Sequence, residues 1–159
     1  MIPRLKSMFL ILLFLAGIMA SCDEKRVYDT YHRLPGSEWQ ADSLLTFEFT
    51  VENSRQQHNI YFNIRNDRSY AFSNLWLFVT ITSPGGTSVT DTMQVVLADP
   101  SGRWLGKGFT GIYHNKVIFR NNVFFPEAGK YSLKLQHGMR PQELQGITEI
   151  GVRLEKTGW

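Results

Sequence analysis

Alternating apolar and polar residues recur along most of the chain and predict short β-strands. In residues 45–51 every odd-numbered position is Leu, Phe or Val, and the positions between them are Thr or Glu. This period of two is typical of a strand with one buried face. The same period returns in residues 60–65, 89–97, 131–136 and 150–154, and each of these segments is predicted to be a strand.

One segment departs from this simple alternation. Residues 75–82 are apolar on both faces, with Trp76 and Phe78 on the face opposite the leucines. Such a run is expected for a central strand whose second face is also covered. Ser83-Pro84-Gly85-Gly86 follows it as the plainest turn signal in the chain;.

The spacing of turns fixes the predicted fold class. Turn-forming residues recur at roughly 8–12-residue intervals, and no segment after the N-terminal apolar run keeps a helical period. Residues 117–119 and 123–125 are predicted to be two further short strands. Together these signals predict an all-β fold, a single antiparallel β-sandwich of the jelly-roll or immunoglobulin-like kind with about seven to eight strands. No internal repeat divides the chain, so we expect one domain over residues 34–159.

The N-terminus has the three parts of a secretory signal. Arg4 and Lys6 form a basic front, residues 8–20 form an uncharged apolar run, and Ala20-Ser21-Cys22 closes it with small residues;. The run is short for a membrane span, which takes about 20 residues of helix. We therefore expect residues 1–21 to be a lipoprotein signal helix that is removed by cleavage between Ser21 and Cys22.

Cys22 is the only cysteine in the sequence, so it has no partner for an internal disulfide;. Lipidation explains an odd thiol in an exported chain, since a thiol-linked diacylglycerol with a further acyl chain on the new amino terminus anchors a protein stably. We predict a lipid on Cys22 and a lipidated tether over residues 22–33. The expected location is the cell envelope, with the outer membrane favoured over the inner and neither face preferred.

Charge and motifs argue against several functions. The formal net charge is +3, and loss of the leader with Arg4 and Lys6 lowers it to about +1;. No later Lys/Arg cluster predicts nucleic-acid binding. Gly106 to Gly111 matches the dinucleotide-binding pattern G-x-G-x-x-G. That pattern works only between a strand and a helix, whereas a strand is predicted from Val117. We expect a glycine-rich loop there and no cofactor.

The chain has no evident catalytic or metal-binding constellation. No histidine pairs with a second ligand at a metal-binding spacing, and no G-x-S-x-G turn presents a nucleophile. The four histidines are His32, His58, His114 and His137. The sequence therefore predicts no metal, no catalytic residue and a protein that is not an enzyme.

The tryptophans leave two interpretations open. In the first, Trp39, Trp76 and Trp104 form a carbohydrate-stacking face with Phe78 and Tyr61. In the second, Trp76 and Phe78 pack as a second buried face under the loop at Trp104. Core packing is favoured because aromatic residues bury about 150–250 Å² each and the strand faces need covering. We retain Trp39, Trp76, Trp104 and Arg140, from the loop Met139-Arg140-Pro141, as candidate interaction residues.

Several segments, in order along the mature chain, carry a resemblance to a known family. They are Ser21-Cys22-Asp23, Leu34-Pro35-Gly36 with Trp39, Asn63-Ile64-Arg65-Asn66, Tyr70 to Leu77, Leu97 to Gly106, Gly129-Lys130-Tyr131, Met139-Arg140 and Gly146 to Gly151. Together they resemble the GldH family of gliding-motility lipoproteins of Bacteroidota, with Ala71 as a departure where family members often have proline.

The resemblance implies an envelope lipoprotein tied to gliding motility and, by association, to type IX secretion. Its expected partners are the membrane, through the lipid on Cys22, and other envelope or motility proteins. The resemblance brings no catalytic residue. The alternative function is an exported glycan-binding β-sandwich that uses surface tryptophans.

Overall fold

The alternating segments become eleven strands in the computed structural model, which describes residues 23–158. The strands are β1 Arg26–Arg33, β2 Glu38–Gln40, β3 Leu45–Val51, β4 Gln57–Asp67, β5 Asn74–Thr82, β6 Ser88–Val96, β7 Lys107–Phe109, β8 Ile112–Val123, β9 Gly129–His137, β10 Glu143–Gln145 and β11 Ile147–Thr157. A 3-10 turn, Pro35–Ser37, links β1 to β2. Among the described residues, no helix is long and apolar enough to cross a membrane.

The strands form two main sheets and a short ribbon. One sheet has five strands in the order β1-β11-β4-β8-β7, and the other has four in the order β3-β9-β5-β6. Strands β10 and β2 form the two-stranded ribbon. All of these pairs are antiparallel. The predicted all-β antiparallel sandwich is thereby confirmed.

The core lies between the two sheets, where the alternation of each strand directs its apolar side chains. In β3 the buried positions are Leu45, Phe47, Phe49 and Val51, as the period of two predicts. Apolar residues of both sheets and of the ribbon belong to one buried cluster. Tyr28 of β1 meets Phe49 of the opposite sheet at 5.8 Å between ring centroids, so the two edge strands β1 and β3 close one side of the sandwich.

The strand count exceeds the seven to eight that were predicted. Three strands, β2, β7 and β10, have only three residues each, too few to show a period. The prediction of separate strands at 117–119 and 123–125 was wrong, because β8 runs unbroken from Ile112 to Val123. Its pairing with β4 shifts register near Ile60, and Asn122 has a positive φ of 52°. These irregularities interrupt the alternation from which a strand is predicted.

The predicted tether of residues 22–33 is also too long. Residues Arg26–Arg33 form strand β1, which pairs along β11 at the edge of the five-stranded sheet. Polar residues such as Asp29 and Thr30 occur on both faces of β1, so its sequence lacks a clear alternation. Within the described residues, the segment before the first strand is only Asp23 to Lys25.

Candidate interaction surface

The outer face of the four-stranded sheet carries exposed aromatic side chains. In β5, Leu75 and Leu77 point into the core, and the period of two turns Trp76 and Phe78 outward;. Trp76 is 39% exposed and Phe78 is 43% exposed, while Phe72, just before the strand, is 36% exposed. We call Phe72, Trp76 and Phe78 the aromatic patch. The second face of β5 is therefore not covered, contrary to the prediction of a central strand buried on both sides.

A groove of about 510 Å³ lies beside the aromatic patch. Its lining residues are Phe72, Asn74, Trp76, Gly138, Met139, Arg140 and Pro141. Gly138 permits a close approach, because a Cβ at this position would lie 3.0 Å from the Phe78 ring. The Gly138 amide donates to the Trp76 carbonyl at 2.8 Å, and the Trp76 amide donates to Met139 Sδ at 3.4 Å. The loop is thus fixed to β5 by hydrogen bonds of the Trp76 main-chain groups.

A buried histidine supports the same loop from below. His137 is only 2% exposed, its Nε2 lies 3.1 Å from the Trp39 carbonyl oxygen, and its Nδ1 accepts from the Met139 amide at 3.3 Å. A neutral ring with the proton on Nε2 satisfies both contacts. Burial lowers the pKa of His137 below its ordinary value of 6.5, although the hydrogen bond to Trp39 opposes this shift. The neutral imidazole therefore links the core to the groove.

Two of the four predicted interaction residues come together in this groove. Trp76 and the exposed Arg140 both line it. Trp39 does not contribute, because it is fully buried: its Nε1 donates to the Ser43 carbonyl at 3.0 Å and its ring lies edge-on to His137 at 5.4 Å. Its inclusion among surface residues was wrong, since its neighbours on β2 gave no alternation from which burial could be inferred.

Trp104 lies apart from the groove, and the predicted lipid site lies outside the described residues. The half-buried Trp104 ring packs 5.5 Å from Tyr113 and 6.3 Å from Tyr70. It does not line the groove, and the interpretation in which the Trp104 loop buries Trp76 was wrong. Ser21 and Cys22 precede residue 23, where the described part of the chain begins.

The composition of the groove suits binding by apolar contact. Its lining contains one cation, Arg140, and no carboxylate. Tryptophan and arginine are the residue types enriched at the energetic centres of protein interfaces. Within residues 23–158 no group of three or more His, Cys, Asp or Glu side chains is arranged to hold a metal ion. Phe72 was not among the predicted interaction residues, because it precedes β5 and carries no periodic signal.

The family model and the similar proteins all indicate the same family. The family described as GldH lipoprotein matches residues 26–154. A gliding motility lipoprotein GldH homolog from Christiangramia forsetii is 39% identical over 96% of this chain and 99% of its own length. Gliding motility lipoprotein GldH from Flavobacterium johnsoniae is 37% identical over 92% of this chain and 94% of its own length.

Solved structures resemble the chain only distantly. The VP2 subviral particle of infectious bursal disease virus has a TM-score of 0.38 at 15% identity, over 82% of this chain and 33% of that chain. The K1 cleaved adhesin domain of Lys-gingipain from Porphyromonas gingivalis has a TM-score of 0.36 at 9% identity, over 88% of each chain.

Proposed function

Since the chain belongs to the GldH lipoprotein family, we propose that it is a lipid-anchored, non-catalytic component of the gliding-motility apparatus that acts through protein contacts. In this proposal residues 1–21 are removed, Cys22 carries the lipid, and the sandwich binds a partner protein through the groove at Trp76 and Arg140. The outer membrane is the proposed location.

The single observation that carries the proposal is the aromatic patch beside the groove. Exposed aromatic side chains in a contiguous set mark interaction sites on soluble domains. Trp76 and Phe78 are held on a regular strand, and the loop beside them is fixed by main-chain hydrogen bonds. A rigid aromatic surface loses little conformational entropy when a partner covers it. These features favour binding of a partner protein over a catalytic role for this surface.

Strand direction supports a partner that approaches from the side away from the anchor. β1 begins three residues after Asp23, and Arg26 pairs with Glu155 near the end of β11. β3 ends at this end of the sandwich, and residues 52–56 connect it to β4. Val51, the last residue of β3, pairs with Gly129, the first residue of β9. β5 also ends here, since its last residues pair with the first half of β9.

Trp76 lies near the opposite end of β5, and His137 ends β9 there. With a rise of about 3.3 Å per strand residue, the groove lies roughly 20–25 Å farther along the strands than the tether. A lipid on Cys22 would hold the tether end against the membrane, so the groove would face away from that membrane.

Site-specific photocrosslinking in native membranes tests the groove. A photoreactive phenylalanine analogue at Phe78 should form an adduct with a protein partner, and the same analogue at Val89 is the matched control. Val89 is an exposed apolar residue on the same sheet, 66% accessible, outside the groove. The double variant Trp76→Ser and Phe78→Ser should abolish gliding in a gliding host while the lipoprotein still accumulates. Normal gliding by this variant, or equal adducts at both positions, would refute the proposed surface.

Metabolic labelling with a radiolabelled fatty acid tests the anchor separately. The wild-type protein should incorporate the label and fractionate with membranes, whereas Cys22→Ala should do neither. A labelled Cys22→Ala protein would contradict the proposed lipid site without bearing on the groove.

A further inference from the structure

A second cleft opens on the five-stranded sheet and is separate from the groove. Its volume is about 520 Å³. Tyr31, Gly151, Asn63 and Lys116 lie side by side on neighbouring strands β1, β11, β4 and β8. Gly151 leaves a gap in this row, and the Tyr31 ring fills it, because a Cβ on Gly151 would lie 2.6 Å from Tyr31 Cδ1. The side chain of Asn63 is therefore enclosed between larger neighbours.

Asn63 carries an unsatisfied donor in the wall of this cleft. It is only 9% exposed, and its Nδ2 is buried without a hydrogen-bond partner among the described residues. A buried polar atom without a partner is unfavourable and uncommon in native proteins. Asn63 lines the cleft, and rotation of its amide about the Cβ–Cγ bond would turn Nδ2 toward an acceptor atom of a bound ligand.

The charges around the cleft favour a single anionic group. Its lining includes Arg65, Lys107 and Lys116 and no carboxylate. Arg65 is paired with Glu149, and Lys116 is paired with Glu155 at 2.7 Å. Lys107 is exposed and has no hydrogen-bond or ion-pair partner for its ammonium group within residues 23–158. One positive charge is thus available in the same cleft as the unsatisfied amide.

The other wall of the cleft is apolar. It is formed by the side chains of Val96 and Leu105. Val96 is 56% exposed and Leu105 is 53% exposed, so both are open to contact. A ligand that matches the whole cleft would carry one anionic group next to a short apolar group.

The adjacent strand edge favours a peptide over other ligands of this chemistry. β7 pairs with β8 only from Ile112 to His114. Beyond that point no strand among the described residues pairs with the outer edge of β8, which continues from Asn115 to Val123. An extended peptide gains main-chain hydrogen bonds by adding to such an edge.

We propose that this cleft binds the carboxyl terminus of a partner peptide with an apolar last residue. The carboxylate accepts hydrogen bonds from Asn63 Nδ2 and the Lys107 ammonium group, and the last side chain packs against Val96 and Leu105. The peptide residues that precede the last one extend along the unpaired edge of β8. The assignment is independent of the aromatic patch, because the cleft and the groove share no lining residue.

Fluorescence polarisation with the full lipoprotein in detergent micelles tests this proposal. The probe is fluorescein-labelled Gly-Ser-Thr-Ser-Val as the free acid, compared with its carboxamide. The free acid should bind, and the carboxamide should bind at least about 10-fold more weakly, since a charge-assisted hydrogen bond is lost. Equal binding of the two probes, or no binding of the free acid, would overturn the proposal.

Variants separate binding from folding. Asn63→Leu should weaken binding by about 10-fold while the melting temperature stays the same or rises, because it removes an unsatisfied buried donor. Lys107→Met should also weaken binding by about 10-fold, and Lys134→Met, an exposed lysine on the other sheet, should not. Unchanged affinity in both Asn63→Leu and Lys107→Met would refute the site. Displacement of the peptide by equimolar phosphate or glucuronate would show a general oxyanion site and overturn the peptide assignment.

Discussion

Arg153 joins the first described residues to the five-stranded sheet, and its replacement tests how much this contact stabilises the fold. Its Nη1 donates to Asp29 Oδ2 at 2.7 Å and its Nε donates to Glu155 Oε1 at 2.5 Å. Its Nη2 donates to Asp23, the first described residue. The Arg153 side chain is 15% exposed, Asp29 is 17% and Glu155 is 15%. We predict that Arg153→Met strongly destabilises the domain.

The magnitude follows from what each carboxylate retains. In the Arg153→Met variant, Glu155 retains its ion pair with Lys116 at 2.7 Å, so the loss of stability through Glu155 is small. Asp29 has no replacement, because its Oδ1 is already buried without a partner among the described residues. Removing one partner of a buried ion pair costs about 3–5 kcal/mol, and partial exposure places this case near the lower end. We expect about 3 kcal/mol, which corresponds to roughly 10 °C in melting temperature for a domain of this size.

Urea unfolding of the protein expressed without residues 1–22, followed by tryptophan fluorescence at neutral pH, measures this change. Arg33→Met is the matched control, because the Arg33 side chain is 83% exposed and its pair with Glu149 spans 3.4 Å. The control should cost less than about 1 kcal/mol. Adding Asp29→Asn to Arg153→Met should recover part of the lost stability by removing the stranded charge. A loss below about 1 kcal/mol for Arg153→Met, or no recovery in the double variant, would refute the reasoning.

The remaining predictions concern the core and the turns. Trp39→Ala should lower the free energy of unfolding by about 3–5 kcal/mol in urea titrations, since the side chain is fully buried;. Gly146→Ala should lower the melting temperature far more than Gly102→Ala. Both glycines have positive φ, 89° and 84°, but only at Gly146 would a Cβ clash, at 2.3 Å from the Tyr70 amide nitrogen. His137→Gln should reduce the pH dependence of stability. The folded-state pKa of His137 is lowered, so its contribution is present above pH 6.5 and is lost as the pH falls through the folded-state pKa. Chemical denaturation of both proteins between pH 5 and 7.5 measures this difference, and parallel pH profiles would contradict it.

The fold class was predictable because burial in a sandwich follows the period of two. β3 shows this most clearly, since its four apolar residues are all buried. The pattern fails where a strand has polar residues on both faces, as in β1, or is too short, as in β2. The period of two also does not indicate whether the second apolar face of a strand is covered by another element. Trp76 and Phe78 are exposed because no element among the described residues packs on the outer face of β5, a fact of topology that the local sequence does not contain.

Both candidate sites depend on residues that only strand register brings together. Arg140 reaches Trp76 because β9 pairs with β5 and ends at His137. Asn63 and Tyr31 are adjacent because β11 lies between their strands and has glycine at position 151. Neither pairing follows from local sequence, since the pairing of strands that are distant in sequence depends on how all their apolar faces pack in the core. The GldH resemblance rests on local segments of the sequence, whereas the surfaces proposed for binding arise from these long-range pairings.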